Sequence, residues 1–205
     1  MKTRTQKTIA IFLGLALLLV LGVSRSHAAL TDNDSHNVVI TINECALLAL
    51  NSNQNTTFTI DIVEDGEAGD SIAVVGGENL NNNYLHYTSI VDGTGKTRKI
   101  TVQIDGADNI PAGTTLTVSP GAPAATGQGD KGTAASTAID LSTAAGATNA
   151  KDLVSGIKSC STGNGSADGV QLTYALAIDN QTTAVAALVA DEYTVEVTYT
   201  LTAAQ

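Results

Sequence analysis

The chain has 205 residues, 43% of them hydrophobic but only 3% aromatic, with no Trp and two Cys. Twenty acidic residues against ten basic ones give a net charge of −10; a surface that acidic repels nucleic acid and anionic lipid headgroups, so neither is expected as a partner. With so few aromatics, a core has to be built from Val, Ile, Leu and Ala, which favours thin layers over deep pockets.

Lys2, Arg4 and Lys7 open the chain, an apolar run follows from Ile9 to Val23, and small residues stand at Ser26 and Ala28. This is the plan of a secretory signal peptide cleaved after Ala28. The run is shorter than the ~20 residues a membrane-spanning helix needs. Residues 1–28 are therefore expected as a leader, and residues 29–205 as a secreted chain in the periplasm, at the cell surface or outside the cell, without membrane insertion. Removal of the leader takes four basic residues and no acidic one, leaving six against twenty and a net charge of −14. In an oxidising compartment, the pair Cys45 and Cys160 is expected as a disulfide.

From residue 29 onward, apolar and polar residues alternate with period two, the mark of half-buried strands. "NVVITIN" sets Val38, Ile40 and Ile42 on one face, and "CALLAL" continues across a bend near Asn43 and Glu44. "TTFTIDIV" groups Phe58, Ile60 and Ile62; "RKITVQID" groups Ile100, Val102 and Ile104; "GTTLTVS" pairs Leu116 with Val118. "GVQLTYALAID" stacks Val170, Leu172, Tyr174, Leu176 and Ile178, and the closing strand from Tyr193 to Leu201 is expected beside it. The clusters "EDGEAGD", "GGENLNNN", "DGTGK", "DGADNIPAG" and "STGNGSADG" read as turns. "AKDLVSGIK" and "TAVAALVADEY" are the only candidates for a helical turn. Residues 120–150 are mostly Ala, Thr, Gly and Ser, which suits a long surface excursion carrying one short strand at "AIDL". The fold expected is all-β: one immunoglobulin-like antiparallel sandwich over residues 29–205, with a long Ala/Gly/Thr-rich surface insertion.

No motif carries catalysis, so an enzyme is not expected. "DGTGKT" ends like a phosphate loop, but Ile90 occupies the place of the first required Gly; a hairpin turn is the better reading. "GQGDKG" at 127–132 follows no strand and opens no helix that could hold a pyrophosphate. After the leader only His36 and His86 remain, with no metal-ligand spacing and no G-x-S-x-G elbow. No cofactor is expected. Calcium is the one ligand the loops invite, through the oxygen donors of "TDNDSHN" and "DGADN", yet neither has the spaced acidic loop with a distal Glu.

The N-terminal "SHNVVITINECALLAL" and the terminal "EYTVEVTYTLTA" together resemble the outline of bacterial pilin subunits assembled by donor-strand exchange, of the colonisation-factor type. The ending is also similar to WxL-type surface domains, although no W-x-L tripeptide occurs. The stretch from Tyr87 to Val118 and the "GI-S-C-TG-G" turn from Gly156 to Gly165 resemble secreted bacterial β-proteins of unassigned role. This resemblance implies a structural or interaction protein of the cell surface, a fimbrial or matrix subunit. It would partner copies of itself or other surface proteins, with a periplasmic chaperone in attendance. Val38, Ile40 and Ile42 are the candidate donor strand: Pro-free, alternating, near the new terminus. For an isolated chain the favoured reading is a first strand kept in the chain's own sheet, since strands usually stay there. A secreted module binding a glycan or calcium is the alternative class.

Overall fold

The computed structural model describes residues 35–52, 56–62, 67–75, 79–179 and 182–205; residues 1–28, the expected leader, lie outside them. The chain divides between Thr41 and Ile42 into two units. In the first, the described residues 35–41 carry no regular structure. The second holds every described strand. These are β1 (Cys45–Ser52), β2 (Thr59–Ile62), β3 (Ile72–Val75), β4 (Asn79–Ile90), β5 (Arg98–Ile104), β6 (Thr114–Pro120), β7 (Gln128–Gly129), β8 (Thr133–Ala134), β9 (Ile139–Asp140), β10 (Lys151–Ile157), β11 (Cys160–Ser161), β12 (Val170–Ile178) and β13 (Val197–Leu201). Among the described residues no helical segment exceeds the four-residue 3-10 turn Leu141–Ala144, and all strand pairs are antiparallel. The fold is all-β, as expected.

The larger sheet runs β7-β11-β4-β12-β6-β9, with β1 on the remaining edge of β4; the smaller runs β13-β5-β10-β8. Alternation does what the pattern promised: β5 buries Arg98, Ile100, Val102 and Ile104 in strict period two, and β12 buries Val170, Leu172, Tyr174 and Leu176. These faces share one core with Leu85, Tyr87, Leu116, Val118, Val154 and Ile157. The two sheets thus lie in a sandwich-like arrangement.

Several expectations are corrected. Val38, Ile40 and Ile42 lie in no strand and are exposed. Asn79–Asn83 of "GGENLNNN" are no turn but the start of the 12-residue β4, and the rest of that cluster lies outside the described residues. "AKDLVSGIK" is no helical turn but the central strand β10, whose alternation is broken by register shifts after Asp152 and after Val154. β13 pairs with β5 rather than β12. The two strands instead face each other across the core, where the hydroxyls of Tyr174 and Tyr199 meet at 2.5 Å. "DGTGK" joins β4 in one sheet to β5 in the other, so it is an arch, not a hairpin.

The Pro120–Ala150 segment carries β9 within "AIDL" as expected, and apart from Leu141 and Ala144 its residues are exposed or half-buried, but it is woven into both sheets. β7 adds to the larger sheet, β8 to the smaller and β9 to the larger again, and Leu141 and Ala144 are fully buried. Its glycines explain how a segment poor in large side chains can pack. At Gly127, with φ of 85°, an added Cβ would lie 2.0 Å from the Ser161 carbonyl oxygen. Backbone meets backbone where a side chain would not fit. The Lys131 ammonium donates to the carbonyls of Ala124 and Thr126 and fastens the same segment to itself.

The expected disulfide is not formed; Cys45 and Cys160 are free thiols. Cys45 stands opposite Ile90 and Cys160 opposite Ser89, on the two edges of β4. Two strand spacings separate them, about 10 Å, beyond the ~7 Å Cα separation that a disulfide spans. Since Ser89 and Ile90 point to opposite faces of β4, so do the two thiols.

Candidate functional site

Among the described residues no three of His, Cys, Asp and Glu come together as a metal-ligand set. Of the two calcium loops, "TDNDSHN" lies largely outside the described residues, and "DGADN" closes as a 3-10 turn at Ala107–Asn109. The shifted side chains are structural. The Thr126 hydroxyl at 2.6 Å, then the Gly165 N–H at 2.6 Å, hold the Asp168 carboxyl below its usual range and close the "STGNGSADG" loop. Burial, with a smaller contribution from nearby Asp130, pushes the Cys160 thiol up. Burial also raises the hydroxyls of Tyr174 and Tyr199. Lys96 of the phosphate-loop look-alike pairs with Asp92 at 3.0 Å on the surface. Gly127, Gly129 and Gly132 of "GQGDKG" are points of close backbone approach.

What the fold does build is an apolar cleft of about 1010 Å³. One wall is the β2–β3 hairpin, a separate two-stranded sheet in which Ile62 stands opposite Ile72, with Phe58 and Ile60 turned towards the core. The other wall is the irregular chain after the 3-10 turn Val185–Ala187, running through Leu188, Val189 and Tyr193. The floor is Leu116, Tyr174 and Leu176 from the larger sheet. Asp61, Asp191 and Glu192 stand exposed among the lining residues and make the mouth acidic.

One polar group in the wall is unsatisfied. Asn83 is only 3% exposed; its Nδ2 donates to Thr56 Oγ1 at 3.0 Å, but its buried Oδ1 has no partner among the described residues. A buried acceptor left unpaired is costly and calls for a donor.

The cleft adjoins strands with open edges. Among the described strands β1 pairs only with β4 and β13 only with β5, so within that set each leaves one edge unpaired, and the two approach one another. β1 reads "CALLALNS", without the charge or Pro that ordinarily guards an exposed edge. At its root Glu44 pairs with the buried guanidinium of Arg98, which also donates to the Thr202 carbonyl at 2.9 Å.

Of the residues expected to interact, Val38, Ile40 and Ile42 are 73%, 81% and 76% exposed, and Val39 beside them 84%. The cleft itself was not foreseen. Its walls come from chain segments far apart in sequence, and "TAVAALVADEY", read as a helical turn, is helical only at Val185–Ala187. The usable signal was Val189 and Tyr193 in an Ala- and Val-rich stretch with no alternation to bury them.

No protein-family model matches this chain, no curated protein matches it significantly, and no solved structure does so.

Proposed function

We propose that the chain is an exported structural protein of the cell surface, a fimbrial or matrix subunit that associates with copies of itself through residues 37–43. The observation that carries this reading is the exposure of four adjacent large apolar side chains, Val38, Val39, Ile40 and Ile42, in a chain otherwise short of large apolar area. Soluble monomers rarely leave such a run uncovered, and a partner surface is the ordinary reason. The leader-like Met1–Ala28 supports export. The unguarded edges of β1 and β13 support association by strand addition, in which main-chain hydrogen bonds supply affinity and alternate side chains supply specificity.

The test is sedimentation of the purified protein and of Ile40→Asp. The parent is expected to form multimers, seen also as a ladder on unboiled gels; the variant is expected to run as a monomer with unchanged circular dichroism. A parent that is monomeric at all concentrations would overturn the proposal.

A further inference from the structure

We infer that the apolar cleft binds an apolar organic cation, a chain-like small molecule whose ammonium group carries at least one N–H. The cleft belongs wholly to the second unit and contains none of residues 37–43, so its ligand is independent of the self-association proposed above. Its size and lining ask for a largely apolar body. At about 1010 Å³ it matches the upper range of small-molecule pockets, which are mostly apolar with a few placed polar groups. Leu50, Ile62, Val189 and Tyr193 line it and are among the exposed large apolar side chains of this chain.

Charge sets the sign of the ligand. Asp61 stands on one wall and Asp191 and Glu192 on the other, and no Lys, Arg or His lines the cleft. The carboxylates of Asp61 and Asp191 each accept a neighbouring backbone N–H at 2.8 Å, from Ile62 and Glu192. Among the described residues none of the three is in an ion pair, so their field is uncompensated and draws cations. The same acids do not come together as a metal-ligand set among the described residues, and the apolar floor between the walls suits an organic cation instead.

Hydrogen bonding adds the N–H. The Tyr174 hydroxyl is held by that of Tyr199 at 2.5 Å, and the Tyr193 hydroxyl donates to the Val189 carbonyl at 3.3 Å. Of the buried side-chain polar atoms that lack a partner among the described residues, only Asn83 Oδ1 belongs to the lining. It accepts and cannot donate, so a ligand N–H satisfies it where a quaternary ammonium or a carboxylate does not.

The experiment titrates the protein, and in parallel Ile40→Asp, with decylamine at neutral pH below its aggregation concentration, following backbone amide resonances by NMR. One-site binding is expected, with shifts at residues 58–62 and 188–193. Octylamine, two methylenes shorter, is expected to bind about tenfold more weakly, from the transfer free energy of each methylene. Decanoate, which reverses the charge, and decyltrimethylammonium, which keeps it without an N–H, are each expected to bind more weakly than decylamine by about fivefold or more. The double variant Asp191→Asn, Glu192→Gln, changed at exposed positions, should keep its circular dichroism and lose about fivefold in decylamine affinity. Shifts confined to residues that do not line the cleft, decanoate or decyltrimethylammonium binding as tightly as decylamine, or undiminished affinity in the double variant would each overturn the site. Equal binding by the parent and Ile40→Asp sustains it whether or not the parent assembles. A parent that assembles while neither protein binds decylamine would sink the cation site and leave assembly standing.

Discussion

The segment that laces the two sheets together and the flank where β1 and β13 lie open are opposites in composition, and each does what its composition argues against. Residues 120–150 are Ala, Thr, Gly and Ser, yet they visit both sheets and bury Leu141 and Ala144 completely. The open flank is rich in Leu, Val and Ile, yet it leaves Leu47, Leu50, Val189 and the Val38–Ile42 run exposed. Small residues let backbone approach backbone, so a segment with little apolar area can still close a sandwich. Large residues left outside need another reason, and association supplies it.

The sharpest way to break the contrast is Leu141→Ala. If the lacing segment is core, deletion of a fully buried Leu costs about 3 kcal/mol, the middle of the range for such cavities. Chemical denaturation would report it as a lowered midpoint with an unchanged slope. A loss under about 0.5 kcal/mol, typical of surface changes, would mean that Leu141 does not hold the segment to the core.

Gly127→Ala comes next. The added methyl would meet the Ser161 carbonyl oxygen at 2.0 Å in a backbone with positive φ, so both sterics and conformation oppose it. We expect a loss of about 2 kcal/mol by the same measurement, in the range for overpacking, with faster hydrogen exchange at Ser161 and Thr162. The same substitution at Gly95, whose φ is also positive but whose added Cβ meets nothing within 4 Å, should cost less.

How much of this could be read beforehand depends on what alternation encodes. It encodes a face. β5 and β6 bury the residues their pattern assigns, β12 buries all of its own but the half-buried Ile178, and the closing strand exists, although only from Val197. It does not encode a partner, so β13 was expected beside β12 and lies instead across the core from it, against β5. Asn-rich "NLNNN" was read as a turn because Asn favours turns, yet β1 and β12 on its two sides recruit it into β4. In β10, bulges erase the period that would have revealed a strand. The candidate arm was legible as Val38, Ile40 and Ile42; the cleft was not, because its walls meet only after the sheets have formed.

On the open flank, Glu44→Gln tests whether the root of the exposed segment is fixed. Arg98 is buried but Glu44 is half exposed, so water screens the pair and the loss is about 1 kcal/mol rather than the several expected of a fully buried pair. The Thr202 carbonyl still accepts from the guanidinium after the change. The mutant should therefore stay folded, with faster exchange of the Glu44 and Cys45 amides and of the C-terminal residues.

The smallest expected effect separates the two thiols. Cys160 is buried with a raised pKa, and Cys45 is partly exposed on the outer face of β1. A reductant should leave the melting temperature unchanged, because no bond joins them. A thiol reagent should modify Cys45 in the native protein and reach Cys160 only on unfolding, since burial and a scarce thiolate both slow attack. A melting temperature that falls by several degrees on reduction would mean that β1 can leave the edge of β4 far enough to bring Cys45 around to Cys160. The open flank would then rearrange more deeply than a docking edge should.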